Sequence, residues 1–224
     1  RENILAELTA LSHTGFHRYS FPEGRPAQLF LYEGNRSRSS GFSFKMSGLQ
    51  TVEGIQSSFG GIYFVMEFNS PVLSSKIWDG NKLIEGDKLE KRPGAGLVCN
   101  FGDLKGKPLE IRVGFSLTGM EAARANLKTE CPDWDFTKAE KMASGLWNEK
   151  LSGIIVEGDE EYKTIFYTAL YHTCFMPAVL NDWNGSYPGL DQKIHQAEGY
   201  NHYDNYAFWD DFRTKYPLYS LYQP

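Results

Sequence analysis

The chain has 224 residues, a formal net charge of −5, 41% hydrophobic and 23% charged residues. That length holds one large or two modest domains with a real core. An acidic balance without a basic block argues against nucleic acid as a partner, and no apolar run approaches the roughly 18 residues needed to span a bilayer.

The first half alternates with period two, the mark of half-buried strands. Ile4, Ala6, Leu8 and Ala10 form one apolar set, and His17, Tyr19 and Phe21 another. Phe42, Phe44 and Met46 follow, then Ile62, Phe64, Met66 and Phe68. The clearest set is Leu109, Ile111, Val113, Phe115 and Leu117, with Glu110, Arg112, Gly114 and Ser116 expected to point outward. Turn signals stand between these runs: Pro22-Glu23-Gly24, Glu33-Gly34-Asn35, Gly60-Gly61 and Asp79-Gly80-Asn81. Asp79-Gly80 suits a type I′ hairpin, because both residues tolerate positive φ. Many short strands at this spacing predict a β-sandwich over residues 1–118.

The period then changes to that of a helix. Glu121 to Leu127 reads as a short helix. Ala139, Met142, Ala143, Leu146, Trp147 and Leu151 line one face of a longer one. Asp135 or Thr137 can cap it, the latter in a capping box with Glu140, and Ser152-Gly153 ends it. Ile154-Ile155-Val156 is a brief strand or a connector docked on the core. Residues 119–158 therefore read as a helical linker. After Gly158 a further helix starts, with Asp159 as N-cap and Glu160 and Glu161 in the first turn, where the helix dipole favours them. Its stripe of Tyr162, Ile165, Phe166, Ala169, Leu170 and Cys174, widened by Tyr167 and Tyr171, predicts a helix buried on most sides; Pro177 ends it. Residues 178–206 lack a helical period, and Gly185, Pro188-Gly189 and Gly199 suggest a hairpin or lid. The closing segment is helical again, with Pro217 either kinking one helix or opening the next.

No nucleophile–base motif is present. There is no G-x-S-x-G, and His13, His17, His172, His195 and His202 have no metal-type spacing. His172 reads as a hydrogen-bonded core residue, and Asp182-Trp183-Asn184-Gly185 as a turn rather than a calcium loop. Cys99, Cys131 and Cys174 give neither a disulfide framework nor a metal pair. Aromatic content is 15%, which fits a β-rich core or stacking surfaces for sugars. The segment Tyr200 to Pro224 interleaves aromatics with carboxylates. Asp210 and Asp211 diverge by about 100° on a helix, so they are not a glycosidase acid/base pair. Asp210 with Arg213 and Asp211 with Lys215 can form surface ion pairs. Trp209 beside Asp210 equally suits a sugar ring, the indole face taking C–H groups and the carboxylate taking hydroxyls.

Three stretches, FYTALYHTCFMP, NDWNGSYPGLD and FWDDFRTKYPLYSL, resemble in order and spacing the start of the catalytic domain of glycoside hydrolase family ninety-two, the bacterial and fungal α-mannosidases. LTALSHTGFHRYSFP, EAARANLKTECPDWDF and LWNEKLSGIIVEG are similar to the family's sandwich-to-barrel region. The resemblance implies a β + α architecture: an N-terminal β-sandwich of supersandwich type, a helical linker, and over residues 159–224 the first helices of an (α/α)6 barrel. It implies calcium-dependent, inverting exo-hydrolysis of terminal α-linked mannose from N-glycan or mannan-type glycans. Trp209 and Asp210 then bind the terminal mannose, with Arg213 in support, while Asp211 stands where the family usually has Thr. The general acid, the general base and the calcium ligands are expected beyond this chain, so no catalytic or metal residue is assigned and no turnover is expected from it alone. Export to the periplasm or outside the cell is inferred from the family, although no signal peptide is evident. The Ile165 face implies self-association if no other helix covers it. Two further readings remain at this stage: a non-catalytic carbohydrate-binding or structural sandwich, and a glucoside-acting (α/α)6 enzyme.

Overall fold

The computed structural model describes residues 3–32, 41–57, 61–80, 82–204 and 206–222. Its first half is all strand: β1 Leu5–Ala10, β2 Thr14–Ser20, β3 Pro26–Tyr32, β4 Phe42–Met46, β5 Thr51–Gln56, β6 Ile62–Phe68, β7 Ser74–Asp79, β8 Leu83–Glu85, β9 Lys88–Leu89, β10 Ala95–Asp103 and β11 Leu109–Ser116. They form a seven-stranded sheet in the order β1-β2-β11-β6-β5-β4-β9 and a four-stranded sheet in the order β3-β10-β7-β8. The pairings are antiparallel. The expected sandwich is therefore present. Period-two patterning explains its core: Phe42, Phe44, Phe64, Phe68, Ile111 and Val113 from the larger sheet meet Ala27, Ile77, Leu97, Cys99 and Phe101 from the smaller. The β7–β8 hairpin turns at Gly80, with φ of 70°, although Asn81 lies outside the described residues. The Glu33-Gly34-Asn35 turn and Gly60 also lie outside them.

Two expectations about strand faces fail. Glu110, Arg112, Gly114 and Ser116 of β11 do not point to solvent; all are buried. Helix α1 (Met120–Glu130) lies across the outer face of the larger sheet, and α2 (Phe136–Leu151) packs beside it on β1 and β2. A second core forms there, with Phe16, Val65, Ala123, Leu127, Cys131, Phe136 and Ala139. The charged positions are tolerated because each finds a partner. Arg112 donates to the Cys131 carbonyl at 2.9 Å and to Glu67 at 2.6 Å, and its guanidinium sits 4.1 Å from the Trp134 ring centre. Arg18 pairs with Glu110 at 3.1 Å while lying over Phe136. Gly114 lets α1 approach: a Cβ there would run into the Ala123 carbonyl and come within 2.7 Å of Leu127 Cβ. Conversely, the apolar face of β1 is open, with Leu8 63% exposed. β1 is the edge strand of the wider sheet.

Asp135 caps α2, its side chain accepting from the Lys138 N–H at 2.9 Å. The helix then leaves the sandwich, so Met142, Leu146 and Trp147 are partly exposed. Ile154 to Val156 forms no strand, and Ile155 stands in solvent rather than on the core. Helix α3 (Glu160–Thr173) is not buried on most sides: Tyr162 is 70% exposed and only Leu170 is buried. Among the described residues it meets α2 through Trp147 and Tyr171, and the closing helix through a Tyr219 hydroxyl donated to the Thr173 carbonyl. His172 is likewise exposed, flanked by Tyr171 and Phe175, and is no core histidine. Residues 178–204 form two small ladders, β12 (Ala178–Val179) with β15 (Tyr203–Asp204) and β13 (Ser186–Pro188) with β14 (Ile194–Gln196), the latter a hairpin. One-turn helix α4 (Phe208–Asp211) and α5 (Lys215–Tyr222) close the chain, and Pro217 sits in the first turn of α5.

Replacing Ile111, fully buried between the sheets, by Ala is expected to lower unfolding free energy by about 2–5 kcal/mol. Leu8→Ala on the open face is expected to stay within about 0.5 kcal/mol. Urea unfolding of both variants measures the difference, and equal losses would contradict the two-layer assignment.

Candidate functional site

The sandwich, α1 and the strap of residues 178–204 meet at one buried polar centre. Asp182, 2% exposed, opens the tight turn that precedes β13. Its Oδ2 accepts from the Ser116 hydroxyl at 2.9 Å and the Thr118 hydroxyl at 2.5 Å, and its Oδ1 from the Asn126 amide at 2.7 Å. Asn126, fully buried on α1, also donates to the Phe115 carbonyl and accepts from the Trp183 N–H. Ser116 Oγ accepts in turn from the N–H groups of Thr118 and Gly119. A carboxylate taken out of water needs such donors, because leaving it unpaired costs several kcal/mol.

His13, in the β1–β2 loop, forms the second contact. Its Nδ1 lies 2.5 Å from Glu130 Oε1 at the end of α1, and its Nε2 lies 2.7 Å from the Asn181 carbonyl. Glu130 Oε2 accepts from the His13 N–H and the Thr14 hydroxyl. The Asn181 side chain accepts from the His202 N–H at 2.7 Å, closing the strap on itself. A cleft of about 760 Å³ opens beside this centre, lined by Leu8, His13, His17, Phe115, Val179 and Asp182 among others. Burial lowers the pKa of His17.

Trp209 and Asp210 occupy α4. Trp209 is 89% exposed, and both side chains project into solvent from the same turn. Tyr206, Phe208 and Tyr216 pack together behind them, with Tyr206 and Phe208 stacked at 5.0 Å. The expected pair of Asp211 with Lys215 is present at 3.3 Å. The expected reach of Arg213 to Asp210 is not: the helix ends at Asp211, and Arg213 lies over the Phe212 ring instead. Asp182-Trp183-Asn184-Gly185 is the turn expected, but its carboxylate role was not legible locally. Among the described residues no group of three or more His, Cys, Asp and Glu could hold a metal ion. Both Asp182 oxygens are engaged by donors, so this turn does not fit calcium.

The model of the glycosyl hydrolase family 92 N-terminal domain matches residues 1–116, and that of the family's catalytic domain matches residues 122–224. The chain belongs to glycosyl hydrolase family 92. The catalytic-domain match takes in most of α1 and all of α2, so both matches meet near the Asp182 centre. Solved family 92 structures share the fold. The gh92 family glycosyl hydrolase ccman5 superposes with a TM-score of 0.89 at 25% identity, over 97% of this chain and 30% of that one. The α-mannosidase BT3965 from Bacteroides thetaiotaomicron gives 0.82 at 23% identity, over 96% and 31%. The inverting mannosidase BT2199 from the same species gives 0.87 at 24%, over 97% and 30%. The chain thus spans about a third of the length of these relatives. No curated protein sequence matches it.

Asn126→Ala removes one donor to Asp182 and leaves the Trp183 N–H unpaired. It is expected to cost about 1–3 kcal/mol, read by thermal unfolding. No loss beyond that of an exposed helix position such as Lys128→Ala would show that the centre does not hold the strap.

Proposed function

We propose that this chain is part of an exo-acting α-mannosidase that removes terminal α-linked mannose from N-glycan or mannan-type glycans with inversion. The observation that carries this reading is Trp209, held 89% exposed beside the exposed Asp210 carboxylate, in a chain of family 92. Two solved relatives bear the names α-mannosidase and inverting mannosidase, and one of them was solved in complex with mannoimidazole. The indole face takes the C–H face of a terminal mannose, and Asp210 accepts from its hydroxyls. Hydrogen bonds to a charged acceptor contribute about 1.5–3 kcal/mol. Arg213, over Phe212, shapes the edge of this subsite rather than bracing Asp210 directly. The acid, the base and an assisting calcium are supplied by the rest of the longer enzyme, which acts outside the cytoplasm.

In the longer enzyme, Asp210→Ala is expected to lower kcat/KM on aryl α-mannosides by about 10- to 100-fold, with the unfolding midpoint unchanged. Turnover within twofold of the parent would sink the subsite assignment. The 224-residue chain alone is expected to release no mannose in the presence of calcium; robust release by it would place the catalytic pair within these residues.

A further inference from the structure

We propose that His13 is a proton-dependent latch by which the sandwich holds the strap of residues 178–204 in the catalytic domain. The geometry is selective for a doubly protonated ring. The Asn181 carbonyl has no proton to give, so Nε2, 2.7 Å away, must donate to it. Nδ1 then faces the Glu130 carboxylate at 2.5 Å, with one further proton held between them. A neutral imidazole beside an ionised Glu130 has a single N–H for two oxygen acceptors. One ring lone pair would then press on an oxygen lone pair, and lifting Asn181 away relieves it.

The groups that face His13 are Glu130 from α1 and Asp182 from the strap, both of which favour the charged ring. His17, along β2 in the same cleft, is pushed towards its neutral form by burial. The Asn181 side chain accepts from the His202 N–H, so the carbonyl that meets His13 belongs to the residue that ties the two ends of the strap together. Asp182 keeps its hold, because Ser116, Thr118 and Asn126 do not titrate in this range. The latch therefore opens the strap locally without undocking it.

The direction with pH follows from linkage. Burial opposes charge on His13, but pairing with Glu130 outweighs it and raises the folded pKa above 6.5. The contribution of His13 is complete below pH 6.5 and is lost as pH rises through the raised value. Burial likewise opposes charge on Glu130, pairing with His13 again prevails, and the folded pKa falls below 4.5. Its contribution is complete above pH 4.5 and is lost as pH falls through the lowered value. The latch is tightest between these limits.

Hydrogen–deuterium exchange of the 224-residue chain tests this. Opening of peptides within residues 178–204, referenced to intrinsic exchange, is compared across about pH 5.5–8.5. Opening couples only to the part of the raise that the strap supplies through the Asn181 carbonyl, and each tenfold difference in His13 proton affinity between closed and open strap gives about a tenfold rise in opening across that range. His13→Gln is expected to show the high-pH opening at every pH. Glu130→Gln keeps the hydrogen-bonding atoms but drops the charge, and is expected to move the transition to lower pH. The ring titration of His13 followed by NMR in the unmodified chain must share the midpoint of the exchange transition. Strap protection independent of pH, or a ring midpoint away from that transition, would overturn the proposal.

Discussion

A buried carboxylate fed by neutral donors fixes how this protein is joined. Asp182 takes hydrogen bonds from the end of β11, from the turn after it, and from the middle of α1. None of these donors carries a charge, so the bond directions rather than long-range attraction hold the carboxylate in place. Moving the turn away from the sandwich would break these three bonds and take both Asp182 and the Trp183 N–H from the buried Asn126 side chain, at a cost of about 1–3 kcal/mol for each buried group left unpaired. The strap, and through it the one-turn helix bearing Trp209, takes its bearings from that point. A two-domain match along the sequence thus corresponds to a single polar seam.

The second condition is the cover over β11. A strand with apolar residues on one side and Glu110 and Arg112 on the other would ordinarily face solvent with the charged side. Here α1 lies on that side, and the charges are kept by pairing with Arg18 and Glu67 and by stacking on Trp134. Gly114 makes the approach possible, since any side chain would meet the backbone of α1. Buried ion pairs of this sort add little net stability, but removing one partner is costly.

Much of the sandwich was legible because strand alternation is local: Phe64, Phe68, Ile111 and Val113 could be placed in the core from spacing alone. Which helices cover the reverse face was not, because Phe16 and Phe136 meet across a long stretch of chain and neither stands in a diagnostic pattern. The broad stripe on α3 also misled, since apolar width signals that a face needs cover and not which element supplies it. At the site, Trp209 and Asp210 stood out through their own chemistry. The centre built from His13, Ser116, Asn126, Glu130 and Asp182 did not, because each is an ordinary residue until the fold assembles them.

The free cysteines acquire a meaning from where the two cores lie. Cys99 is sealed between the sheets, and burial pushes its thiol up to about 12. Near neutral pH its thiolate fraction is then on the order of 10⁻⁵. Cys131, under the helical cover, is raised in the same way. Oxidants act on the thiolate, so the native fold itself keeps both sulfurs out of redox chemistry. These two thiols can enter an oxidising environment as long as the chain stays folded, and unfolding rather than exposure to air becomes the event that opens them to oxidation; Cys174, only partly buried at the end of α3, lacks that shelter.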